Sequence, residues 1–208
     1  MPSGTVYIVD DDPALLSNIS ALVSFAGYTV RAWNDPQVFL AELPNDAPAV
    51  LITDMHMPGR NGIEIHKALM ERGRRLPVIY ISGRSTARDA IDAMKLHAHD
   101  FLIKPFSREE LLAAVGAALE RDRHAMHAII ERARLQEALG HLSPREREVR
   151  SLLLQGYSNA EIVESLGISL ETAKQYKSEV MRKMGARSLS QFMAINRTID
   201  EQPSGNSG

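Results

Sequence analysis

The chain has 208 residues, 44% of them hydrophobic, which is enough for two modest globular domains with buried cores. It has no cysteine and a formal net charge of -2, which excludes disulfide bonds and thiolate-bound zinc and argues against nucleic-acid binding by overall charge. Because neither a signal-peptide pattern nor an apolar stretch of about 20 residues is present, we expect a cytoplasmic protein with no membrane partner.

The N-terminal half alternates between short apolar runs and helical patterns. The apolar runs occupy 5–9, 29–33, 50–53, 78–82 and 101–103, and the helical patterns occupy 13–25, 35–43, 61–72, 85–97 and residues from 108 onward. Strands that alternate with helices form βαβ units, and near-continuous apolar strands are typical of a sheet covered on both faces. The pattern predicts an α/β domain, a doubly wound five-stranded parallel sheet of about 120 residues.

A long helix is predicted next. Ser107 and Glu110 form a capping-box pattern and no proline follows until Pro144, so the helix has about 30 residues. An apolar residue recurs every seven positions along it, at Leu112, Leu119, Met126 and Ala133. Two interpretations stay open: an amphipathic linker that lies on its own domains, or a dimer seam, which the polar residues Asp122 and Gln136 disfavour.

Four short helices are predicted after Gly140. Capping-box patterns begin at Ser143, Ser158 and Ser188, and glycines suited to helix ends stand at 156, 167 and 185. We therefore expect an all-α four-helix domain joined to the first domain by the long helix. The predicted boundaries are 1–122 for the α/β domain, 123–140 for the helical linker, 141–200 for the helical domain and 201–208 for a disordered tail.

Polar side chains follow four of the predicted strands. They are three aspartates at 10–12 after the first strand, Asp54 after the third, Ser82 after the fourth and Lys104 after the fifth. Because the carboxyl ends of parallel strands meet at one edge of a sheet, these groups would converge there. The carboxylates would repel one another without a cation, and their oxygens suit Mg²⁺, with Mn²⁺ as an alternative. Singly, each residue has an ordinary explanation as a helix cap, turn residue or surface lysine, so only the combination indicates a phosphoryl-binding site.

Four segments resemble the receiver domain of two-component response regulators, which has a flavodoxin-like fold. They are IVDDDP at 8–13, TDMHMPG at 53–59, ISG at 81–83 and FLIKPF at 101–106. The resemblance implies that Asp54 accepts a phosphoryl group from a sensor histidine kinase. It also implies a Mg²⁺ ion held by Asp10, Asp11, Asp54 and the backbone carbonyl of His56.

The same resemblance assigns the remaining pocket residues. Lys104 would contact the phosphoryl group, and Ser82 and Phe101 would form a switch pair that remodels the face of the fourth helix, fifth strand and fifth helix. His56 stands where the family commonly has arginine or asparagine. With Arg84 it occupies positions that tune phosphate lifetime, so we predict an atypical lifetime whose direction stays open.

Residues 158–184 predict two helices, 159–166 and 170–184, separated by a turn at Gly167, which is typical of a helix-turn-helix. The second helix has a polar face that carries Lys174, Gln175, Lys177 and Ser178. Glutamine can bind adenine, and lysine can bind guanine or phosphate, so this face suits DNA. An ordinary solvated helix face would give the same pattern.

Three further segments resemble the LuxR-type helix-turn-helix domain of FixJ/NarL response regulators: LSPREREV at 142–149, GYSNAEI at 156–162 and LGIS at 166–169. The resemblance implies binding to double-stranded DNA, as a homodimer when the protein is phosphorylated. The residues implied to face bases are Lys174, Gln175 and Ser178, and those implied to contact phosphates are Lys177, Lys183 and Arg187. Length and domain order also resemble StyR/TodT-type regulators of aromatic-compound catabolism.

We therefore expect a phosphorylation-activated DNA-binding transcription regulator that catalyses only its own phosphoryl transfer and dephosphorylation. One alternative is a phosphorylation-independent transcription regulator with a vestigial receiver. Another is an aspartyl-phosphate phosphatase of the haloacid-dehalogenase kind, which needs a second carboxylate two residues after the nucleophile, where this chain has His56.

Overall fold

The computed structural model describes residues 3–83 and 87–200, and the chain divides into two compact units between His127 and Ala128. The predictions for Arg84 and for the tail at 201–208 lie outside the described residues. Within the described part of the chain, no helix combines the length and the apolar composition that crossing a membrane would require.

The N-terminal unit is a five-stranded sheet flanked by helices. Its strands are β1 (Thr5–Val9), β2 (Thr29–Trp33), β3 (Ala49–Asp54), β4 (Val78–Ser82) and β5 (Asp100–Ile103). Its helices are α1 (Pro13–Phe25), α2 (Pro36–Glu42), α3 (Gly62–Glu71), α4 (Ala87–Lys95) and α5 (Arg108–Gly140). All neighbouring strands pair in parallel in the order β2-β1-β3-β4-β5. The predicted doubly wound α/β fold is confirmed.

Two apolar cores lie on opposite faces of this sheet. One core packs α2, α3 and α4 against alternate residues of the strands, such as Tyr7, Leu51 and Tyr80. The other core packs α1 and α5 against the intervening residues, such as Ile8 and Ile52. Because both faces are covered, the central strands β3 and β4 are buried throughout, and their sequences are apolar up to the polar residues at their carboxyl ends.

The strand register brings the predicted pocket residues to one edge of the sheet. Val9 pairs with Thr53, Asp54 pairs with Ile81, and Ser82 pairs with Ile103. The residues that immediately follow β1 and β5, Asp10 and Lys104, therefore lie at the same edge as the ends of β3 and β4. Local capping supports this edge, since the Asp12 side chain accepts hydrogen bonds from Ala14 and Leu15 at the start of α1.

The long helix α5 has 33 residues and contributes side chains to the core of each unit. In the N-terminal unit Leu111, Val115 and Leu119 are buried. In the C-terminal unit Leu135 is buried, and Ala138 and Leu139 are partly buried against the same core. Of the four residues of the apolar heptad repeat, Leu119 is buried, Leu112 and Met126 are half-buried and Ala133 is exposed, so the linker and dimer-seam interpretations both stay open.

The C-terminal unit adds four helices: α6 (Pro144–Leu154), α7 (Asn159–Leu166), α8 (Leu170–Lys183) and α9 (Leu189–Asp200). Reciprocal capping boxes form at Ser143 with Glu146 and at Ser158 with Glu161. The core is apolar, and its fully buried members are Val149, Ile162, Ala173, Val180 and Phe192. The chain passes from α7 to α8 through Gly167 at φ 63°, a left-handed conformation that favours glycine.

Candidate phosphoryl-transfer site and nucleic-acid interface

Lys104 joins two aspartates at the edge of the sheet. Its Nζ lies 2.5 Å from Asp54 Oδ2 and 3.8 Å from Asp10 Oδ2. Asp10 and Asp54 are both buried, whereas Asp11 is exposed. Residues far apart in the sequence thus form one compact cluster of two carboxylates and an ammonium.

Backbone N–H groups orient both buried carboxylates. The N–H of Asp12 donates to Asp10 Oδ1 at 2.8 Å, and the N–H of His56 donates to Asp54 Oδ1 at 2.8 Å. Each carboxylate therefore binds a backbone donor with one oxygen and turns its other oxygen towards Lys104. This arrangement fixes the direction in which Asp54 Oδ2 faces.

The pKa of Asp10 is raised above its ordinary value. Burial is the main cause, and the nearby carboxylates of Asp54 and Asp11 raise it further. The hydrogen bond from the Asp12 N–H and the charge of Lys104 act in the opposite direction. The pocket therefore favours additional positive charge, which would stabilise the ionised form of Asp10.

The donor set suits a small hard cation. Asp10, Asp11 and Asp54 offer only oxygen atoms, the ligands that Mg²⁺ and Mn²⁺ prefer. In residues 3–83 and 87–200, no group of three or more acidic or histidine side chains is already arranged around a metal position. Lys104 instead supplies the positive charge between the two buried carboxylates. The chemistry of the residues therefore fits the metal.

The two predicted switch residues lie on neighbouring strands. Ser82 is fully buried at the end of β4, and its carbonyl accepts a hydrogen bond from the Lys104 N–H at 2.8 Å. Phe101 on β5 is half-buried and packs against the core beneath α3 and α4. The backbone thus connects Ser82 directly with the lysine that contacts Asp54.

Gly62 allows α3 to start directly beside the acceptor aspartate. A Cβ atom at this position would lie 2.5 Å from the backbone carbonyl oxygen of Asp54, 3.0 Å from Thr53 and 3.2 Å from Tyr80. No residue other than glycine fits without moving the end of β3. The sequence analysis did not single out this position, although a glycine at the start of a helix is a usable signal of close approach.

Three polar contacts were not predicted from the sequence. His56 Nε2 lies 3.4 Å from Asp89 Oδ2 on α4. The buried side chains of His66 and Tyr80 share a hydrogen bond of 2.9 Å between Nδ1 and the hydroxyl. Asp122, which the sequence suggested only as a polar interruption, is buried and accepts the N–H of Ala49 at 2.8 Å. Each pair is distant in sequence, so no local pattern indicated it.

The predicted DNA-reading face of α8 is open to solvent. Lys174, Gln175 and Ser178 are exposed, and Lys177 is half-buried with its Nζ 3.5 Å from Asn159 Oδ1. Arg187, just beyond the helix, is also exposed. A side chain must be exposed to reach DNA, and all of these residues except the half-buried Lys177 are exposed.

Lys183 has a different environment from the other basic residues. Its Nζ lies 2.7 Å from Glu146 Oε2 and 3.2 Å from the carbonyl oxygen of His141. Glu146 is buried, and its pKa is lowered first by the hydrogen bond from Lys183 and then by that from the Ser143 N–H. The structure therefore uses Lys183 to neutralise a buried carboxylate, although the sequence analysis placed it among the phosphate contacts.

Comparisons with known proteins match both units. The response regulator receiver domain family matches residues 6–116, and the luxR family of bacterial regulatory proteins matches residues 140–195. Response regulator protein TodT of Pseudomonas putida is 34% identical over 96% of this chain and 88% of its own length. Transcriptional regulatory protein FixJ of Bradyrhizobium diazoefficiens is 34% identical over 92% of this chain and 94% of its own length.

A solved structure has the same organisation. The low-resolution structure of response regulator StyR superposes with a TM-score of 0.80 at 30% identity, covering 94% of this chain and 99% of the StyR chain. The likeness extends over both units and the helix that joins them in sequence.

Proposed function

Because the chain belongs to the response regulator family and is a transcription regulator with a receiver domain and a LuxR-type DNA-binding domain, we propose that phosphorylation of Asp54 controls its DNA binding. A sensor histidine kinase supplies the phosphoryl group in a Mg²⁺-dependent reaction. The observation that carries this proposal is the contact of Lys104 with both Asp54 and Asp10, which supplies a nucleophile and a cation at one position.

The pocket residues divide the transfer chemistry among them. Asp54 Oδ2 forms the bond to phosphorus while the bond from phosphorus to the kinase histidine nitrogen breaks. Lys104 moves from the Asp54 carboxylate to an oxygen of the transferred group and balances its charge. Asp10, Asp11, Asp54 and the His56 carbonyl would hold Mg²⁺, which supplies further positive charge to the phosphoryl oxygens.

Phosphorylation reaches the outer face of the domain through β4 and β5. Ser82 turns its hydroxyl towards the phosphoryl group, and Phe101 moves into the space that this change opens. Support for this step comes from the bond between the Ser82 carbonyl and the Lys104 N–H, and from the partial burial of Phe101. The chain catalyses no reaction beyond its own phosphorylation and dephosphorylation.

A second copy of this chain is the proposed partner of the α4–β5 face. Ile91 and Met94 on α4 are 52% and 76% exposed, and Ile103 on β5 is 57% exposed. Large apolar side chains that are exposed to solvent are typical of interaction surfaces. A dimer formed here after phosphorylation would give the helix-turn-helix units access to two DNA half-sites.

DNA contact is assigned to the exposed face of α8. Lys174, Gln175 and Ser178 bind base edges, while Lys177 and Arg187 bind phosphates. Lys183 contributes indirectly, because its amine is bound to Glu146 and to the His141 carbonyl.

The first experiment tests phosphorylation itself. Purified protein is incubated with acetyl phosphate in the presence or absence of Mg²⁺, and the phosphoprotein is separated on a phosphate-affinity gel. We expect Mg²⁺-dependent phosphorylation of the native chain and of Asp92→Asn, a surface control on α4, but none of Asp54→Asn. Equal phosphorylation of Asp54→Asn would exclude Asp54 as the acceptor.

A second experiment tests control of transcription. Footprinting on genomic DNA compares the phosphorylated with the unphosphorylated protein, and we expect tighter binding after phosphorylation. Equal affinity would favour the phosphorylation-independent alternative. Binding sites beside genes for aromatic-compound breakdown would support the finer prediction from the resemblance to StyR and TodT.

A further inference from the structure

The C-terminal part of α5 carries an apolar stripe on its surface. Ile129 and Ile130 are each 61% exposed, and Ala133, one turn further along the helix, is also exposed. Residues three and four positions apart lie on the same side of a helix, so Ala133 lies beside both isoleucines. These three residues form a continuous apolar surface, which we call the 129–133 stripe.

The core of the C-terminal unit uses a different face of α5. Leu135, Ala138 and Leu139 pack into this core. With about 3.6 residues per turn, this group lies on the side of the helix opposite to the 129–133 stripe. The helix can therefore bury the stripe against a partner and keep all of its own core contacts. Exposed apolar surface of this kind is typical of interaction sites.

Two polar residues disfavoured a dimer seam in the sequence, and the structure changes the weight of both. Asp122 is buried and accepts the N–H of Ala49, so it serves the N-terminal unit and lies outside the stripe. Gln136 is exposed, nearly one turn beyond Ala133. Coiled coils use a polar side chain at a single core position to fix the register, at some cost in stability. Neither residue therefore excludes pairing through the stripe.

The charges beside the stripe match a parallel pair of helices. The sevenfold repeat places Ala133 at the first core position of a heptad and Ile129 at the second core position of the preceding heptad. Arg132 then flanks the core on one side, and Glu137 flanks it on the other side five residues later. In a parallel two-stranded coiled coil these two flanking positions meet across the seam. Arg132 of one copy would therefore meet Glu137 of the other copy.

We propose that the 129–133 stripe is a parallel contact between the α5 helices of two copies of this chain. This inference rests on the proposed homodimer and adds a second contact to the α4–β5 face. A stripe of three residues buries much less than the roughly 1,200 Å² of a stable interface, so it does not hold two copies together alone. The stripes pair when phosphorylation has brought two copies together and has raised their local concentration.

Cross-linking tests the contact and its direction. The chain has no cysteine, so Ile129→Cys introduces its single thiol. The protein is kept in acetyl phosphate and Mg²⁺ and oxidised by oxygen with copper phenanthroline as catalyst. In a parallel seam the two thiols lie close together, so we expect disulfide-linked dimers at least about tenfold faster than in Ala128→Cys, an exposed control on the opposite face. Equal rates in the two variants would overturn the proposal.

The same cross-link tests the dependence on phosphorylation. Ile129→Cys combined with Asp54→Asn should form few disulfide-linked dimers under the same conditions. If it forms them as fast as Ile129→Cys alone, phosphorylation does not bring the stripes together, and that part of the proposal is wrong.

Exchange of the flanking charges tests the orientation. Glu137→Arg places like charges across the seam, so we expect the dissociation constant of the phosphorylated dimer to rise at least about threefold. Adding Arg132→Glu restores opposite charges and should restore most of the native affinity. Sedimentation equilibrium measures both constants. A double variant that dimerises no more tightly than Glu137→Arg would contradict the parallel pairing.

Replacement of the isoleucines tests the stripe itself. Ile129→Gln with Ile130→Gln keeps good helix formers and removes the apolar surface, so the dissociation constant should rise at least about tenfold. The thermal unfolding temperature should stay native, because both side chains are exposed. Val38→Gln, 44% exposed on α2, is the matched control and should dimerise normally. An unchanged dissociation constant in the glutamine variant would overturn the proposal.

These outcomes separate this inference from the proposed function. If the native chain is not phosphorylated, or if the phosphorylated chain stays monomeric, the proposed function or its dimer is wrong, and this contact is wrong with it. If the phosphorylated chain dimerises but Ile129→Cys does not cross-link, only the contact through α5 is wrong.

Discussion

Single side chains set the geometry of the acidic pocket through backbone contacts as much as through charge. Asp54 is held by the N–H of His56 on one side and by Lys104 on the other, while Gly62 lies against its carbonyl oxygen. Its carboxylate can therefore keep one orientation without any bound ion. Substitutions of the residues that contact Asp54 should therefore affect folding stability as well as phosphorylation.

Gly62→Ala tests the close approach of α3 to β3. The added methyl group would lie 2.5 Å from the Asp54 carbonyl, so we expect a loss of about 1–3 kcal/mol in the free energy of unfolding and slower phosphorylation. Urea unfolding followed by the fluorescence of Trp33, the sole tryptophan in the sequence, measures the N-terminal unit. Gly140→Ala is the control, because a Cβ there meets no atom within 4 Å. If Gly62→Ala unfolds at the same urea concentration as the native chain, β3 moves aside without a loss of stability and the prediction is wrong.

The buried pair of His66 and Tyr80 should make stability depend on pH. Burial lowers the pKa of His66 to about 4 from its ordinary value of 6.5, with a further contribution from His97. Between these values the unfolded chain binds a proton that the folded chain does not, so stability falls as the pH falls through this window. The full effect is on the order of 3 kcal/mol.

Unfolding by urea at several pH values measures this effect. The double variant His66→Leu, Tyr80→Phe removes both partners, and we expect it to lose this part of the pH dependence while keeping the fold. His127→Gln, at an exposed histidine on α5, should retain the native pH dependence. If the free energy of unfolding depends on pH in the same way in the double variant and in the native chain, the assignment of this effect to His66 is wrong.

At the scale of helices and strands, most of the fold follows from local signals. Five apolar runs predicted the five strands to within one residue at either end, and capping boxes such as those at Ser143 and Ser158 predicted where α6 and α7 begin. Strand-end chemistry likewise predicted that Asp10, Asp54 and Lys104 meet. These features could be predicted from the sequence because the hydrophobic period, the helix caps and the polar residues at strand ends each depend on a few neighbouring residues.

Contacts between distant elements were not accessible in the same way. His66 stands in the amphipathic helix α3, and only the packing of α3 on β4 brings it to Tyr80. Asp122 was interpreted as a polar break in a seam, yet it accepts the N–H of Ala49 at the start of β3. Lys183 was placed among the implied phosphate contacts, and only the packing of α8 on α6 shows its partner Glu146. Such pairings depend on tertiary geometry, which one sequence does not contain.

The helix α8 offers a test that separates DNA contact from internal structure. Lys183→Met leaves the buried Glu146 without its ammonium partner, so we expect a loss on the order of 1–3 kcal/mol in the stability of the C-terminal unit. Arg187→Met changes an exposed side chain assigned to a DNA phosphate, so stability should stay native while DNA binding weakens and its salt dependence falls by about one ion. Thermal unfolding by circular dichroism and DNA titrations at several salt concentrations measure the two effects. If Lys183→Met is as stable as the native chain, Lys183 does not stabilise the unit through Glu146, and the prediction that it contacts a DNA phosphate stands.

For the molecule as a whole, the proposed dimer predicts that assembly after phosphorylation depends on the exposed apolar residues of the α4–β5 face. Met94→Glu places a charge at the most exposed of them, so we expect the phosphorylated variant to remain monomeric while its phosphorylation level is native. Light scattering after size-exclusion chromatography measures the mass. Met70→Glu on α3, 46% exposed, is the control and should dimerise normally. If phosphorylated Met94→Glu still dimerises, the dimer interface lies on another surface.

The continuous helix α5 also constrains how such regulators can be recombined. A C-terminal fragment that begins at 141 lacks Leu135, Ala138 and Leu139, which complete the apolar core of that unit. An N-terminal fragment that stops before Leu119 and Asp122 lacks a buried apolar residue and the acceptor for the Ala49 N–H. Chimeras that exchange output modules, whether they arise by gene fusion or in the laboratory, should therefore keep both sets and place their joint within the helix, near residue 127.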